Sequence, residues 1–302
     1  MAQETRNAYG EKLAELIQKD EKIVVLDADL TKSTKTIEAK KVCPERHFNA
    51  GIAEANMLGM AAGLAASGKT VFASTFAVFA TGRAFEIIRN SICYPNLNVK
   101  VCATHAGLAV GEDGASHQSF EDVALMRVLP NMKVFVPCDQ YETKAVIEYI
   151  SKIDSPCYVR LGRGKVEDVY NENTVFNFDS ADVLRKGNGD LVIFAMGLMV
   201  QEALKAAEEL DATVVNVSNI KPCDTKQILD LLKSHKRAIT CEEHSIIGGL
   251  YALVSEVKGQ SDVSTPITPI AINDRYGESG KMKDVLKKYG MTAEHIIEVA
   301  KQ

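Results

Sequence analysis

The sequence lacks the features of membrane and secreted proteins. No stretch of its 302 residues approaches the roughly 20 apolar residues that a membrane-spanning helix needs, and residues 1–19 have no apolar core like that of a signal peptide. Hydrophobic residues make up 46% of the chain and charged residues 25%, as in soluble globular proteins. The net charge of −5 offers no attraction for nucleic acid or an anionic membrane. We therefore expect a cytoplasmic protein of roughly two domains with neither of these partners.

Common metal, disulfide and phosphate motifs are also missing. The six histidines form no HxxxH or HExxH pattern, which gives no sign of a zinc site. The seven cysteines form no CxxC pair, and most stand in or beside apolar runs, so we expect buried free thiols in a reducing cytoplasm. Because GxxxxGK[ST] and a strand–GxGxxG–helix unit are both absent, single arginines would have to hold a phosphate, and Arg6 and Arg163 are candidates. From the residues alone, ordinary surface charge remains the alternative for both.

The sequence does contain a regular alternation of short apolar runs and helical periodicities. Runs such as residues 22–26 (KIVVL) and 70–74 (TVFAS) predict buried strands, and the stretches between such runs predict helices. This alternation is typical of βαβ units and a mainly parallel sheet. Residues 164–182 interrupt the rhythm, and we interpret them as a linker or a connecting hairpin before a second α/β run. The sequence thus predicts two α/β units.

One acid stands in an apolar setting. Within GIAEANMLGMAAGLAASGKTVFAS, Glu54 opens a predicted helix of small residues, and no Lys or Arg follows it before Lys69. Phe76 and Phe79 come directly after the next predicted strand. Glu54 could simply complement the helix dipole. Alternatively, it is buried opposite a nitrogen base and holds or shares a proton with it, because burying an unpaired charge is costly.

A polar, glycine-rich loop follows a later predicted strand. Residues 104–119 (THAGLAVGEDGASHQS) contain two histidines and two acids with three glycines among them. Glycine lets the backbone approach a ligand closely, and a loop of this length inside a compact domain is usually functional. His105, Asp113 and His117 could hydrogen-bond a polyhydroxylated substrate or move protons. A loop whose polar residues are merely solvated is the alternative.

Several sequence blocks, in order along the chain, resemble the C-terminal two-thirds of transketolases. They are GIAEANMLGMAAGLA, STFAVF, THAGLAVGEDGASHQ, NIKPCD, EEHSIIGGL and DRYGESGK. The resemblance covers nearly the whole chain, and VGEDGASHQ is specific on its own. It implies two doubly wound α/β domains, a thiamine-diphosphate pyrimidine-binding domain over residues 1–172 and a smaller transketolase C-terminal domain over residues 185–302. Residues 173–184 would be the linker.

The resemblance implies roles for four residues at the cofactor. Glu54 matches the family's glutamate that hydrogen-bonds N1′ of the thiamine aminopyrimidine, and Phe76 and Phe79 match the aromatic residues that pack on this ring. Asp29, in ADLT, matches an acid near the thiazolium. Burial of Glu54 would favour a carboxyl group that holds or shares a proton near neutral pH, as the proton transfer on the cofactor requires.

Further matches concern the substrate. Asp113 and His117 match residues that hydrogen-bond the donor's hydroxyl groups, and with Glu54 they would form the catalytic set. His105 matches a histidine at the phosphate end of the substrate channel, and the family's phosphate ligands match Arg6, Ser33 and Arg163. The implied reaction is transfer of a two-carbon ketol unit from a ketose phosphate to an aldose phosphate, as in the pentose phosphate pathway, with the cofactor as electron sink.

The sequence departs from the family at three positions. Ala53 and Ala55 replace an arginine and a histidine that usually flank the glutamate, and Gly82 stands where a further aromatic residue is expected. These departures leave part of the pyrimidine pocket and the sugar preference open.

The family's N-terminal domain, marked by GDG and a later Asn that bind Mg²⁺ and diphosphate, has no counterpart in this sequence. The resemblance therefore implies a split enzyme, in which a separate N-terminal subunit holds the Mg²⁺ (or Ca²⁺) and the two chains assemble as α2β2. One alternative is a subunit of another thiamine enzyme, related to deoxyxylulose-5-phosphate synthase or to the β subunit of 2-oxo-acid dehydrogenases. Another is a non-catalytic assembly subunit. The block EEHSIIGGL gives no catalytic reason for His244.

Overall fold

The computed structural model describes residues 2–302, whose strands form two large sheets and a two-stranded ribbon. In chain order the strands are β1 (Gln3–Glu4), β2 (Ile23–Asp27), β3 (His47–Asn49), β4 (Thr70–Ser74), β5 (Val99–Ala103), β6 (Lys133–Phe135), β7 (Cys157–Arg160), β8 (Lys165–Val166), β9 (Asp182–Arg185), β10 (Leu191–Ala195), β11 (Thr213–Asn216), β12 (Asn219–Lys221), β13 (Arg237–Ser245) and β14 (Ile267–Ile272). The first sheet has the parallel order β3-β2-β4-β5-β7-β6, with β12 antiparallel at the β6 edge. The second sheet has the order β9-β11-β10-β13-β14, in which β9 is antiparallel and the other pairs are parallel. This arrangement confirms the α/β prediction.

Helices connect the strands in both sheets. In chain order they are α1 (Thr5–Lys19), α2 (Thr31–Thr34), α3 (Ile37–Val42), α4 (Glu54–Ala66), α5 (Phe85–Ile87), α6 (Asp122–Arg127), α7 (Gln140–Lys152), α8 (Met199–Leu210), α9 (Thr225–Ser234), α10 (Leu250–Gly259), α11 (Met282–Lys288) and α12 (Ala293–Ala300). Within residues 2–302, no helix combines the length and the apolar character needed to cross a membrane.

Alternate residues of the central strands face two separate cores. Val71 and Ala73 of β4 belong to one apolar cluster, whereas Phe72 between them belongs to another. A parallel sheet is stable in water only when both of its faces are covered, and here helices and loops cover both. The alternation therefore confirms the doubly wound prediction. All seven cysteines are free and six of them are buried, as the sequence predicts.

The two sheets are tied together by chain segments that cross between them. Strand β12, from the second half of the chain, pairs with β6 and completes the first sheet. In the connecting segment, Phe178 packs against Tyr149 and Phe135, with ring centroids 5.0 and 6.1 Å apart. Strand β8 pairs with β1, so the segment is a connection and the hairpin alternative is wrong. The domain boundaries at residues 172 and 185 stay predictions.

One predicted helix is irregular. The sequence predicts a continuous helix over residues 76–89, but the structure has a π-helical turn at Phe79–Arg83, the short α5, and a second π-helical turn at Ile88–Cys93. A π-helical turn holds one more residue than an α-helical turn, and such turns are frequent at functional sites. The first of these turns ends at Arg83, a residue of the candidate site.

Candidate functional site

The predicted site residues lie beyond the carboxyl ends of neighbouring parallel strands. Asp29 follows β2, Phe76 follows β4, and His105 follows β5, and these strands lie side by side in the first sheet. The backbones of the last two segments meet directly, because Phe76 and Thr104 form an isolated parallel bridge. The carboxyl ends of strands are where open α/β sheets bind ligands.

Glu54 is buried at the start of α4. Gly51 turns the chain from β3 toward this helix with a φ of 72°, in the left-handed region that favours glycine. The carboxyl group of Glu54 is 2% exposed, and its Oε2 atom accepts a hydrogen bond from Arg83 Nη1 at 2.9 Å. Glu54 is therefore paired with a charged group, although no Lys or Arg follows it in its own helix. Its partner comes from 29 residues away rather than from its own helix.

Arg83, the partner of Glu54, also contacts Phe79. It ends the first π-helical turn, and its guanidinium carbon lies 4.8 Å from the centroid of the Phe79 ring, with the side chain 55% exposed. A cation over an aromatic face at an exposed site contributes about 0.5–1 kcal/mol. Arg83 is a residue of the candidate site that the sequence interpretation missed. Its position four residues after Phe79 was an available signal, because such a pair shares one side of a helix.

Two phenylalanines and two histidines form one aromatic cluster. The rings of Phe76 and Phe79 are stacked, 5.8 Å apart, and the His105 ring stacks on Phe76 with the ring centroids 3.8 Å apart. His117 stands edge-on to both phenylalanines, at 6.0 and 5.6 Å. Phe76 is buried, whereas Phe79 and His117 are half-buried and accessible from outside. The structure thus brings together four residues that the sequence placed in two separate segments.

His105 is neutral, and its tautomer follows from its neighbours. Burial, together with the nearby Arg6 and Arg163 guanidinium groups, lowers the pKa of His105 to about 3. Arg6 Nη1 lies 3.3 Å from His105 Nε2, and because arginine can only donate, Nε2 is the acceptor. The proton is therefore on Nδ1, which donates to Thr104 Oγ1 at 2.9 Å. His105 also has a φ of 58°, a strained backbone that a functional site can retain.

The predicted phosphate ligands fall into two groups. Arg6 Nη1 donates to the backbone carbonyl of Ser33 at 3.0 Å and its Nε to Glu4 at 2.8 Å, so Arg6 and Ser33 lie together beside His105. Arg163, which follows β7, contacts the glycine-rich loop instead: its Nη1 pairs with Asp113 at 3.0 Å and donates to the Val110 carbonyl at 2.7 Å.

Asp113 and Asp29 do not contact the aromatic cluster directly. The carboxylate of Asp113 pairs with Arg163, and both side chains are about one-third exposed, at 39% and 34%. Asp29 is exposed at the end of β2, with a φ of 62°, and exchanges hydrogen bonds with Asn49 at 3.0 and 3.2 Å. Both acids remain on the same edge of the sheet as the cluster.

Comparison with protein families shows to which family the chain belongs. The sequence profile of the transketolase pyrimidine-binding domain matches residues 1–168, and that of the transketolase C-terminal domain matches residues 179–296. The chain belongs to the transketolase family. A protein of Methanocaldococcus jannaschii described as a transketolase C-terminal section is 50% identical over 96% of this chain and 93% of its own length.

Other members of the transketolase family extend the comparison. A subunit of a 6-deoxy-6-sulfo-D-fructose transketolase from a Clostridium species is 38% identical over 98% of this chain and 92% of its own length. Human transketolase is 36% identical over 98% of this chain, but the match covers 48% of the human protein. The solved structure of a split-gene transketolase, described as an inactive β4 tetramer, has a TM-score of 0.88 and 48% identity, covering 100% of this chain and 97% of that one.

The pyrimidine-binding domain implies thiamine diphosphate, and the site residues fit this cofactor. A buried carboxyl group is available to a ring nitrogen, and the half-buried Phe79 ring adds an aromatic surface next to the stacked Phe76. Beside them, Gly82 leaves open space, because a Cβ atom there would meet nothing within 4 Å. The third aromatic residue that is usual in the family is therefore absent without another side chain filling its place.

Proposed function

We propose that this chain is the C-terminal subunit of a split transketolase, which transfers a two-carbon ketol unit from a ketose phosphate to an aldose phosphate. The observation that carries the proposal is the buried carboxyl group of Glu54 beside the stacked Phe76 and Phe79 rings, with two histidines in contact with the same rings. When bound, thiamine diphosphate supplies the nucleophilic carbon that cleaves the ketose next to its carbonyl group.

In this proposal Glu54 holds the proton relay at the pyrimidine end. A carboxyl group has two oxygens, so Glu54 can accept a hydrogen bond from a ring N–H while Arg83 occupies the other oxygen. Phe76 and Phe79 exclude water from this contact and thereby strengthen it. The helix-dipole interpretation of Glu54 is less favoured, because a dipole partner gains nothing from burial.

The histidines and arginines are arranged along the path of an extended sugar phosphate. His117, half-buried at the edge of both phenylalanine rings, would hydrogen-bond donor hydroxyl groups near the reacting carbon. Neutral His105 would hydrogen-bond hydroxyl groups farther from the reacting carbon. Arg6, together with Ser33 beside it, would bind the anionic end of the sugar phosphate. Asp113 and Arg163 would line the outer part of the same channel, and Asp29 the inner end near the cofactor.

A bare apolar surface beside Glu54 indicates where a partner would bind. On the outer side of α4 and the strand before it, Ile52 is 79%, Phe48 43% and Met60 37% exposed. On the same helix, a Cβ atom added to Gly59 or Gly63 would meet nothing within 4 Å, so the helix surface is open there. We propose that the N-terminal subunit, carrying the diphosphate and its Mg²⁺ or Ca²⁺, covers this surface in an α2β2 complex. The site would then be completed at the interface.

Reconstitution tests the proposal. The purified chain with thiamine diphosphate and Mg²⁺ should show no ketol transfer, and addition of the N-terminal subunit should restore it. A ketose phosphate should be compared with 6-deoxy-6-sulfo-D-fructose and with apulose 4-phosphate as donors, because related transketolase subunits are named for the last two. Robust turnover by the lone chain would refute the split. Decarboxylation of pyruvate without ketol transfer would assign the complex to another class of thiamine enzyme, and cofactor binding without either reaction would favour an assembly subunit.

A further inference from the structure

A carboxyl group from the second sheet binds the glycine-rich loop over residues 104–119, which also contacts residues 278–282 through Gly111, Gly114 and Gln118. Glu243, near the end of β13, is 4% exposed, and its Oε1 atom accepts a hydrogen bond from the backbone N–H of Ala109 at 2.5 Å. The backbone of Leu108 also hydrogen-bonds to this carboxyl group. Gly107 is needed for the close approach, because a Cβ atom there would lie 2.3 Å from the carboxyl carbon of Glu243. The carboxyl group therefore fixes the point where the loop begins its 3-10 turn.

Arg160 links this carboxyl group to the other end of the loop. At the end of β7 it is 6% exposed, and its Nη2 donates to the carbonyls of Ser119 at 3.3 Å and Glu243 at 2.8 Å. Its Nε donates to Asp122 at 2.9 Å, and its Nη1 lies 4.0 Å from Glu243 Oε2. Both ends of the loop are thus tied to the Glu243–Arg160 pair, and the exposed segment with Asp113 and His117 lies between them.

The neighbours of Glu243 in the block EEHS act on other parts of the structure. His244 Nε2 accepts from the N–H of Ala124 at 3.4 Å, and its Nδ1 donates to the Ser245 carbonyl at 2.8 Å, so it fixes the start of α6 as a neutral histidine. Glu242 stays within its own domain, where its two oxygens accept the N–H groups of Leu250 and Tyr251 at the start of α10, at 2.7 and 2.8 Å. Consecutive buried glutamates therefore serve the loop and a helix end, respectively.

We propose that Glu243, together with Arg160, is a positioning residue for donor binding. Through Glu243, the C-terminal domain sets the geometry of a loop that belongs to the pyrimidine-binding domain. The inference rests on the proposed function, since it assumes that Asp113 and His117 bind the donor. Without the carboxyl group, two buried N–H groups lose their acceptor and the loop loses its fixed start. The cofactor contacts at Glu54 lie outside this network and keep their geometry.

Amide hydrogen exchange of the full chain tests the loop, and Glu242→Ala is the matched control. Glu243→Ala should speed exchange at Leu108 and Ala109 by about tenfold or more, whereas Glu242→Ala should speed exchange in α10 and leave the loop unchanged. Unchanged exchange at Leu108 and Ala109 in Glu243→Ala, or an equal increase in Glu242→Ala, would overturn the inference.

Two gentler variants cover the case that Glu243→Ala does not fold. Glu243→Gln keeps the length and one acceptor oxygen, whereas Glu243→Asp keeps the charge and withdraws the acceptor by one methylene. If the carboxyl group positions the loop, Asp loosens Leu108 and Ala109 more than Gln does. If Gln loosens the loop as much as Asp or more, the reach of the acceptor oxygen does not fix the loop and the inference fails.

Kinetics of the reconstituted complex separate positioning from general damage. Glu243→Ala, or Glu243→Asp in its place, should raise the donor KM by about tenfold while the dissociation constant of thiamine diphosphate stays within about twofold of its normal value. A loosened loop with an unchanged donor KM would refute the role in donor binding. If the wild-type complex shows no ketol transfer, the proposed function fails, and the exchange data alone still decide whether Glu243 positions the loop.

Discussion

Replacement of Glu54 by glutamine separates the two interpretations of this buried acid. Glutamine keeps the side-chain volume and a hydrogen-bonding oxygen but cannot hold or release a proton at neutral pH. The ion pair that is lost involves an arginine whose side chain is 55% exposed, and pairs with such exposed partners contribute about 0–1 kcal/mol. We therefore expect the free energy of unfolding to fall by no more than about 1 kcal/mol.

The expected effect on the rate is much larger. Removing a charged partner from a buried hydrogen bond costs about 1.5–3 kcal/mol, which corresponds to a factor of roughly 10 to 150 in rate. Loss of a group that moves protons costs about 10²–10⁴. In the reconstituted complex, Glu54→Gln should thus lower kcat by about 10² or more, because 2% exposure leaves no room for water to replace the carboxyl group.

The assay is steady-state ketol transfer at saturating thiamine diphosphate, with chemical denaturation of the isolated chain measured in parallel. Glu298→Gln is the control, since its side chain is 70% exposed at the end of α12 and should change neither quantity. A Glu54→Gln complex that keeps kcat within about threefold of normal, with saturated cofactor, would return Glu54 to a helix-dipole role.

Other predictions concern the anion site, the buried ion pair and the pH dependence of stability. Arg6→Ala should raise the KM of a phosphorylated ketose about tenfold or more and leave a non-phosphorylated ketose almost unaffected, as measured with matched donors. Asp122→Asn should lower the free energy of unfolding by about 3–5 kcal/mol, measured by urea denaturation, because Arg160 keeps its charge in a buried place. Between pH 6.5 and 8 the isolated chain should lose about 2 kcal/mol of stability, measured by denaturation at each pH. The groups responsible are three buried carboxyl groups whose pKa burial raises to about 7: Glu142, Glu242 and Glu243.

Each of these has a result that would contradict it. Equal losses with both donors would remove Arg6 from the phosphate site, and an Asp122→Asn chain as stable as the wild type would show that Arg160 finds other partners. For the carboxyl groups, the folded state binds more protons than the unfolded state below pH 7, so stability must fall as the pH rises through 7. Stability that rises between pH 6.5 and 8 would contradict the raised pKa values.

Two buried histidines oppose this trend at lower pH. Burial lowers the pKa of His105 to about 3 and that of His244 to about 4, so the folded state binds fewer protons than the unfolded state below the ordinary histidine value of about 6.5. Their contribution to stability is present above that pH and is lost as the pH falls below it. Because three carboxyl groups act against two histidines, the gain in stability on acidification becomes smaller just below pH 6.5 but keeps its sign there.

Strands and the central helix were predictable because they follow local patterns. The apolar run at residues 70–74 coincides with β4, and the helix predicted over residues 54–67 differs from α4 by one residue. In both segments the local spacing of apolar residues predicts the buried positions, and this spacing can be seen directly in the sequence. The aromatic and histidine residues of the site were predictable for a different reason, the resemblance of their sequence blocks to a family.

The partners of buried charges were not predictable, because they lie far apart in the chain. Glu54 meets Arg83 across 29 residues and a π-helical turn, and Glu243 meets Ala109 across 134 residues and two sheets. Strand β12 likewise leaves its own half of the chain to pair with β6. No local periodicity specifies such contacts, which depend on how the two sheets pack.

The network of Asp122, Arg160 and Glu243 is difficult to explain by stability alone. Each of these side chains is at most 6% exposed, and desolvation of buried charges often outweighs their mutual attraction, so apolar residues of similar volume are commonly as stable or more so. Unlike apolar contacts, the hydrogen bonds of charged groups are directional, so they form with only one arrangement of the neighbouring backbone. Arg160 binds the carbonyls of Ser119 and Glu243, and Glu243 binds the N–H of Ala109, so the network permits one path for the loop where an apolar junction would permit several. A loop that holds sugar hydroxyl groups at fixed distances, as we propose for this one, gains from this restriction, which is a physical reason for charges to occupy the junction.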